Sequence, residues 1–119
     1  MKKLFILLAL LIAGCGKRLP VLDGLDLNAW RNDKNGCGHV REQGEASLRT
    51  QLEKLKILDE SQIVSLLGHP DRTELYKRNQ KFYTYYLTPS PRCNPAQENP
   101  KKLIIRFNGM RVAKEVTVE

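Results

Sequence analysis

An α+β fold, with two N-terminal helices packed on one face of a small antiparallel β-sheet, is what this sequence predicts. Three observations carry the prediction. Leu48, Leu52 and Leu55 recur at helical spacing, a capped second helix restarts at Asp59, and from Arg72 onward the pattern changes to runs of period two separated by turn residues.

The first helix is expected from about Gln43, where the i, i+4, i+7 leucines form one buried face and Arg49, Gln51, Glu53, Lys54 and Lys56 surround it. Asp59 is a good N-cap for the second helix. Gln62, three residues on, can complete a capping box, and Leu58 with Ile63 can form a hydrophobic staple. Ile63, Leu66 and Leu67 make its buried face; Gly68 supplies a left-handed position at its end and Pro70 blocks continuation.

The remainder reads as strands. Arg72 to Lys77 and Lys81 to Leu87 are joined by Arg78-Asn79-Gln80. In the second run Phe82, Thr84 and Tyr86 point one way and Tyr83, Tyr85 and Leu87 the other, so aromatic side chains appear on both faces. Thr88 to Pro100, with four prolines and Cys93, is a loop. Leu103 to Phe107 and Arg111 to Val118 flank Asn108-Gly109, a recognised hairpin pair. Trp30, the only Trp, is expected against the domain edge, just before the turn-rich stretch Asn32 to Gly38.

The N-terminus carries a different signal. Met1-Lys2-Lys3 is a positive n-region, and Leu4 to Ile12 is an unbroken apolar run of nine residues, the length of a signal h-region and too short to span a bilayer. Leu11-Ile12-Ala13-Gly14-Cys15 follows and resembles the lipobox of bacterial lipoproteins. That resemblance implies cleavage before Cys15 and acylation of Cys15, hence a protein held to membrane lipid without a transmembrane helix. Gly16 after the Cys favours the outer membrane by resemblance to lipoprotein sorting signals. The expected organisation is a signal peptide over 1–14, a lipidated tether over 15–28 with a reach of about 20 Å, and one α+β domain over 29–119.

Charge takes its meaning from that anchor. The whole chain of 119 residues has a net charge of +7; removal of 1–14 takes away Lys2 and Lys3 and leaves 105 residues at +5. Nucleic acid is the wrong partner for an exported protein, and a basic surface with Lys17 and Arg18 beside the lipid suits anionic headgroups, at about 1 kcal/mol per well-placed cation.

With Cys15 assigned to lipid, Cys37 and Cys93 remain, and an exported compartment permits a disulfide between them. Closing a loop of about 57 residues contributes roughly 4 kcal/mol on the chain-entropy account. Cys37-Gly38-His39 could instead open a metal site, but it has no second clustered pair, since His69 and Cys93 are isolated in the sequence. No catalytic constellation and no Gly-rich phosphate loop is apparent, so neither an enzyme nor a cofactor is expected.

The segment Leu58 to Pro70, the aromatic run Phe82-Tyr83-Thr84-Tyr85-Tyr86 and the terminal Leu103 to Phe107 with Asn108-Gly109 together resemble the SmpA/OmlA (BamE-like) family of outer membrane lipoproteins. The shared pattern is a capped helix, an LG-x-P stop, an aromatic strand and a last apolar strand ending in a Gly turn. It covers roughly residues 41–118, plus the lipobox. The region around Trp30, the Cys37/Cys93 pair and Lys81-Phe82, where many relatives carry Trp, depart from it.

The resemblance implies an ααβββ layout and a non-enzymatic, periplasm-facing accessory or scaffold in β-barrel assembly or envelope integrity, in contact with outer membrane assembly proteins. On this chain the expected partner or lipid contact is Phe82, Tyr83, Tyr85 and Tyr86 on the aromatic strand, with Arg72, Lys77, Arg78 and Lys81 as its basic rim. The alternative is a lipid-anchored inhibitor or ligand-binding module of similar helix-plus-sheet build, acting on an envelope or extracellular enzyme.

Overall fold

A computed structural model describes residues 18–119. The expected signal peptide over 1–14 and the expected lipidation site Cys15, with Gly16 and Lys17, lie outside the described residues. Among the described residues, helices come first and the sheet follows: α1 (Leu27–Asn32), a 3-10 turn (Lys34–Gly36), α2 (Val40–Gln43), α3 (Glu45–Arg49), a second 3-10 turn (Leu52–Leu55) and α4 (Glu60–Leu67) precede β1 (Arg72–Tyr76), β2 (Gln80–Tyr86), β3 (Lys102–Phe107) and β4 (Ala113–Val118). The strands form one antiparallel sheet in the order β1-β2-β3-β4.

The class is therefore α+β, but the two-helix ααβββ layout is wrong: among the described residues four α-helices precede four strands. The expected helix over Leu48, Leu52 and Leu55 is broken because Gln51 leaves helical geometry (φ −126°, ψ 12°). Its side chain is used elsewhere. The amide accepts from Asp23 N–H and donates to Asp23 O, each at 2.7 Å, and also donates to Ser47 O. The leucines still face inward; Leu48 and Leu55 are fully buried and Leu52 packs at the core margin.

The same contact docks part of the stretch read as a tether. Leu22 is buried, Leu25 and Leu27 pack against the core, and Asp26 caps α1 by accepting from Ala29 N–H. Trp30 on α1 lies inside the core, 5.4 Å from the Tyr85 ring, rather than at the domain edge.

Helix α4 has the expected start. Asp59 accepts from Gln62 N–H at 2.8 Å and the Gln62 side chain accepts from Asp59 N–H at 3.0 Å, a complete capping box. Its end differs in detail. Gly68 has the positive φ (83°) that glycine adopts freely, but ψ −178° places it outside the left-handed helical region, and a Cβ there would press on the Arg31 side chain at 3.2 Å.

Alternation along the strands sends Tyr83 and Tyr85 of β2 with Leu103, Ile105 and Phe107 of β3 into the core beneath the helices. Two tyrosine hydroxyls then fasten α4 to the sheet. Tyr83 donates to Glu60 at its first turn (2.6 Å), and Tyr85 donates to Gly68 O at its end (2.8 Å).

The turns differ from expectation in one respect. Arg78 and Asn79 both take positive φ in the Lys77–Gln80 turn, the type I′ pattern. Between β3 and β4, however, Gly109 is not the left-handed residue; Arg111 is (φ 64°), and the Asn108 side chain accepts from Met110 and Val112 N–H. That is a three-residue loop rather than an Asn-Gly two-residue one.

Candidate functional site

Among the described residues the helices cover one face of the sheet and leave the other open. On that face the even-numbered residues of the first three strands meet odd-numbered residues of β4, because one extra residue in β4 shifts the pairing between Arg106 and Phe107. The result is a groove of about 340 Å³ whose floor is Phe82, Thr84, Tyr86 and Ile104, walled by Arg72 and Glu74 on one side and by Arg106, Glu115 and Thr117 on the other.

Four of its six charged side chains stand in pairs, Lys102 and Glu119 being the others. Arg106 reaches Glu115 at 3.2 Å and donates to the Gln80 side chain at 3.0 Å, and Arg72 meets Glu74 at 3.0 Å. Arg72 also engages the Tyr86 side chain, which raises its guanidinium pKa. Tyr76 stands edge-on to Phe82 at 5.8 Å, extending the aromatic surface toward the β1–β2 turn. The groove thus offers a central aromatic and aliphatic strip bordered by both signs of charge, a composition suited to a polypeptide surface.

A buried ion pair holds one end of this strip. Arg41 and Asp71 are 2.6 Å apart with side chains 1% and 3% exposed. Asp71 accepts from Tyr86 N–H (2.8 Å) and Asn35 N–H (3.0 Å), while Arg41 donates to Tyr86 O (3.2 Å) and Trp30 O (3.0 Å). The guanidinium lies 4.4 Å from the centre of the Trp30 ring, a cation–π contact. The position of Tyr86 in the groove is therefore set from within the core.

The structure divides the contact residues expected from sequence. Phe82, Tyr86 and Arg72 come together on the open face. Tyr83 and Tyr85 do not; they lie beneath the helices, bonded to Glu60 and to Gly68 O of α4, whereas Tyr86, itself only 8% exposed, lines the groove. Lys81 is also on the helix side, 2.9 Å from Glu60. Lys77 and Arg78 stand exposed at the hairpin turn, beside the groove rather than in it.

Sequence reading missed Ile104, Arg106, Glu115 and Thr117. For the β3 residues a signal was present: Leu103, Ile105 and Phe107 are apolar, so Ile104 and Arg106 must face the other way. The β4 residues were not accessible, because the bulge changes which of them face out.

Glu60 forms a second cluster behind the sheet. Burial pushes its carboxyl up, but hydrogen bonds from Tyr83 and Lys81, with the charges of Lys81 and Arg111, outweigh that and hold the pKa below its ordinary value. Burial, and then the Glu60 contact, push the Tyr83 phenol up to about 12. This network anchors α4.

Cys37 and Cys93 stand at disulfide distance, their Cα atoms 5.7 Å apart, at the end of the sheet away from the hairpin turns. The bridge ties the first 3-10 turn to the β2–β3 loop. Gly36 supports the same junction, since a Cβ there would come 2.6 Å from Thr88 O. His39 meets Glu42 at an exposed position, and among the described residues no group of three His, Cys, Asp or Glu side chains forms a metal site.

No family model matches the chain, and no curated protein or solved structure matches it.

Proposed function

We propose that this chain is a lipid-anchored, non-enzymatic accessory or scaffold of the outer membrane, facing the periplasm and serving β-barrel assembly or envelope integrity. The observation that carries the reading is the uncovered sheet face, where Phe82, Tyr86 and Ile104 form an apolar strip with paired charges at its margins. Such a face suits protein contact. The lipobox-like sequence ending at Cys15 supplies attachment, and the basic residues nearest it suit anionic headgroups. The capped helix at Asp59, the aromatic β2 and the hairpin after Phe107 support the SmpA/OmlA-like (BamE-like) reading, although the helix and strand count departs from it.

Mass spectrometry of membranes tests the anchor: an acylated N-terminus at Cys15 is expected, and finding residues 1–14 still attached would sink it. Crosslinking in intact cells tests the partner. Outer membrane assembly proteins should be recovered with the full chain and lost with Phe82→Ser/Ile104→Ser, while membrane attachment persists. A groove of this size also suits the alternative, an inhibitor or ligand-binding module; a single envelope enzyme as the dominant crosslinked partner would decide for it.

A further inference from the structure

The two borders of the sheet are treated differently by the fold. At the start of β4, Ile57 N–H donates to Ala113 O (3.0 Å), Ala113 N–H donates to Leu58 O (2.8 Å), and Asp59 bridges Val112, so the preceding chain covers the start of that edge. Among the described residues β1 has no such cover. All five of its residues are exposed, including Leu75 at 80% and Tyr76 at 55%.

Open edges are ordinarily blunted by a proline, a bulge or repelling charge. Between Arg72 and Tyr76 there is no proline, Pro70 standing two residues before the strand, and the pairing with β2 is regular. The charges on the strand are of opposite sign, Arg72 and Glu74, two residues apart and therefore on the same face. Two like charges there would repel an identical strand; this arrangement is self-complementary.

We propose that β1 pairs antiparallel with β1 of a second copy of this chain, about a twofold axis through Thr73. That register sets Arg72 of each copy opposite Glu74 of the other, so the intrachain ion pair is re-formed twice between chains. Registers centred on Arg72 or Glu74 would place like charges opposite one another, which destabilises a strand pair. The two four-stranded sheets become one continuous sheet, and the two grooves lie side by side on a common face. A single short strand pair covers less than the ~1,200 Å² at the low end of stable interfaces, so the dimer is weak in dilute solution.

The test uses the full-length chain with Thr73→Cys, oxidised mildly in whole cells. Directly opposed residues in an antiparallel ladder have Cα atoms ~4.5 or ~5.5 Å apart, and both spacings admit a disulfide. A covalent dimer is expected, well above that formed by the parent chain or by Thr50→Cys at an exposed helix-side position. Adding Arg72→Glu or Glu74→Arg alone should lower the crosslinked fraction by roughly 2- to 5-fold per lost pair. Combining the two reversals should restore it. All these positions are exposed, and an unchanged thermal transition confirms folding in each variant. The proposal is overturned by crosslinking no greater than Thr50→Cys, by crosslinking at Leu75→Cys in place of Thr73→Cys, or by failure of the double reversal to recover what each single one lost.

Discussion

Arg41 and Asp71 meet at 2.6 Å in the core, and through Tyr86 their contact reaches the open face of the sheet. Taking two charges out of water is costly, and the cost is met here by further hydrogen bonds to Trp30 O, Tyr86 O and the N–H groups of Asn35 and Tyr86. Removing one partner leaves the other buried and unpaired. Arg41→Ala and Asp71→Ala should each destabilise by about 3–5 kcal/mol in urea titration, and the double variant by much less than their sum. Additive losses would show that the pair is not coupled.

Arg41→Lys should fail to rescue. An ammonium has no planar fork with which to reach Asp71, Tyr86 O and Trp30 O together. Its urea midpoint is expected nearer to that of Arg41→Ala than to that of the parent.

The Cys37–Cys93 bridge closes a long loop of chain, and its loss should lower stability by about 4 kcal/mol on the chain-entropy account. Thermal unfolding of Cys37→Ser/Cys93→Ser, or of the parent with reductant, measures this. Limited proteolysis should cut first within 88–101, the loop the bridge restrains.

Acid and alkali should each release α4 from the sheet. The folded pKa of Glu60 lies below its ordinary 4.5, so its contribution is complete above that value and is lost as pH falls through the folded one. For Tyr83, raised from 10.0 to about 12, the contribution is complete below 10.0 and is lost as pH rises through about 12. The urea midpoint should therefore be flat at intermediate pH and fall at both ends. Glu60→Gln should weaken the acid limb, and Tyr83→Phe the alkaline one.

Ile57 holds φ 73° while 79% exposed, a conformation that β-branched residues avoid. The geometry is imposed by its hydrogen bond to Ala113 O, and little side-chain burial offsets the strain. Ile57→Gly or Ile57→Asn should raise stability by about 1 kcal/mol, read as a higher thermal midpoint. No gain in either variant would show that the side chain contributes more than its exposure indicates.

Local rules made much of this fold legible. The capping box at Asp59 and Gln62 needs only side chains three residues apart, and the alternation of Phe82 to Leu87 follows from strand geometry itself. Helix α1 was also signalled, by Asp26 ahead of Leu27 and Trp30, but six residues among Pro and Gly do not outweigh a reading as linker. The break at Gln51 coincides with a contact that no local pattern reveals, between its amide and the backbone of Asp23, 28 residues earlier.

What the sequence determined by itself is whatever periodicity and caps control: helical segments ahead of an antiparallel sheet, which side chains of β2 share a face, and two cysteines available to each other. Tertiary structure alone decided that Tyr83 and Tyr85 lie on the covered face, that Arg41 is a core residue paired to Asp71, and that Ile104, Arg106 and Glu115 complete the groove. Alternation sorts residues into two faces but carries no label for which face the helices will cover. That label comes from contacts between segments far apart in the chain.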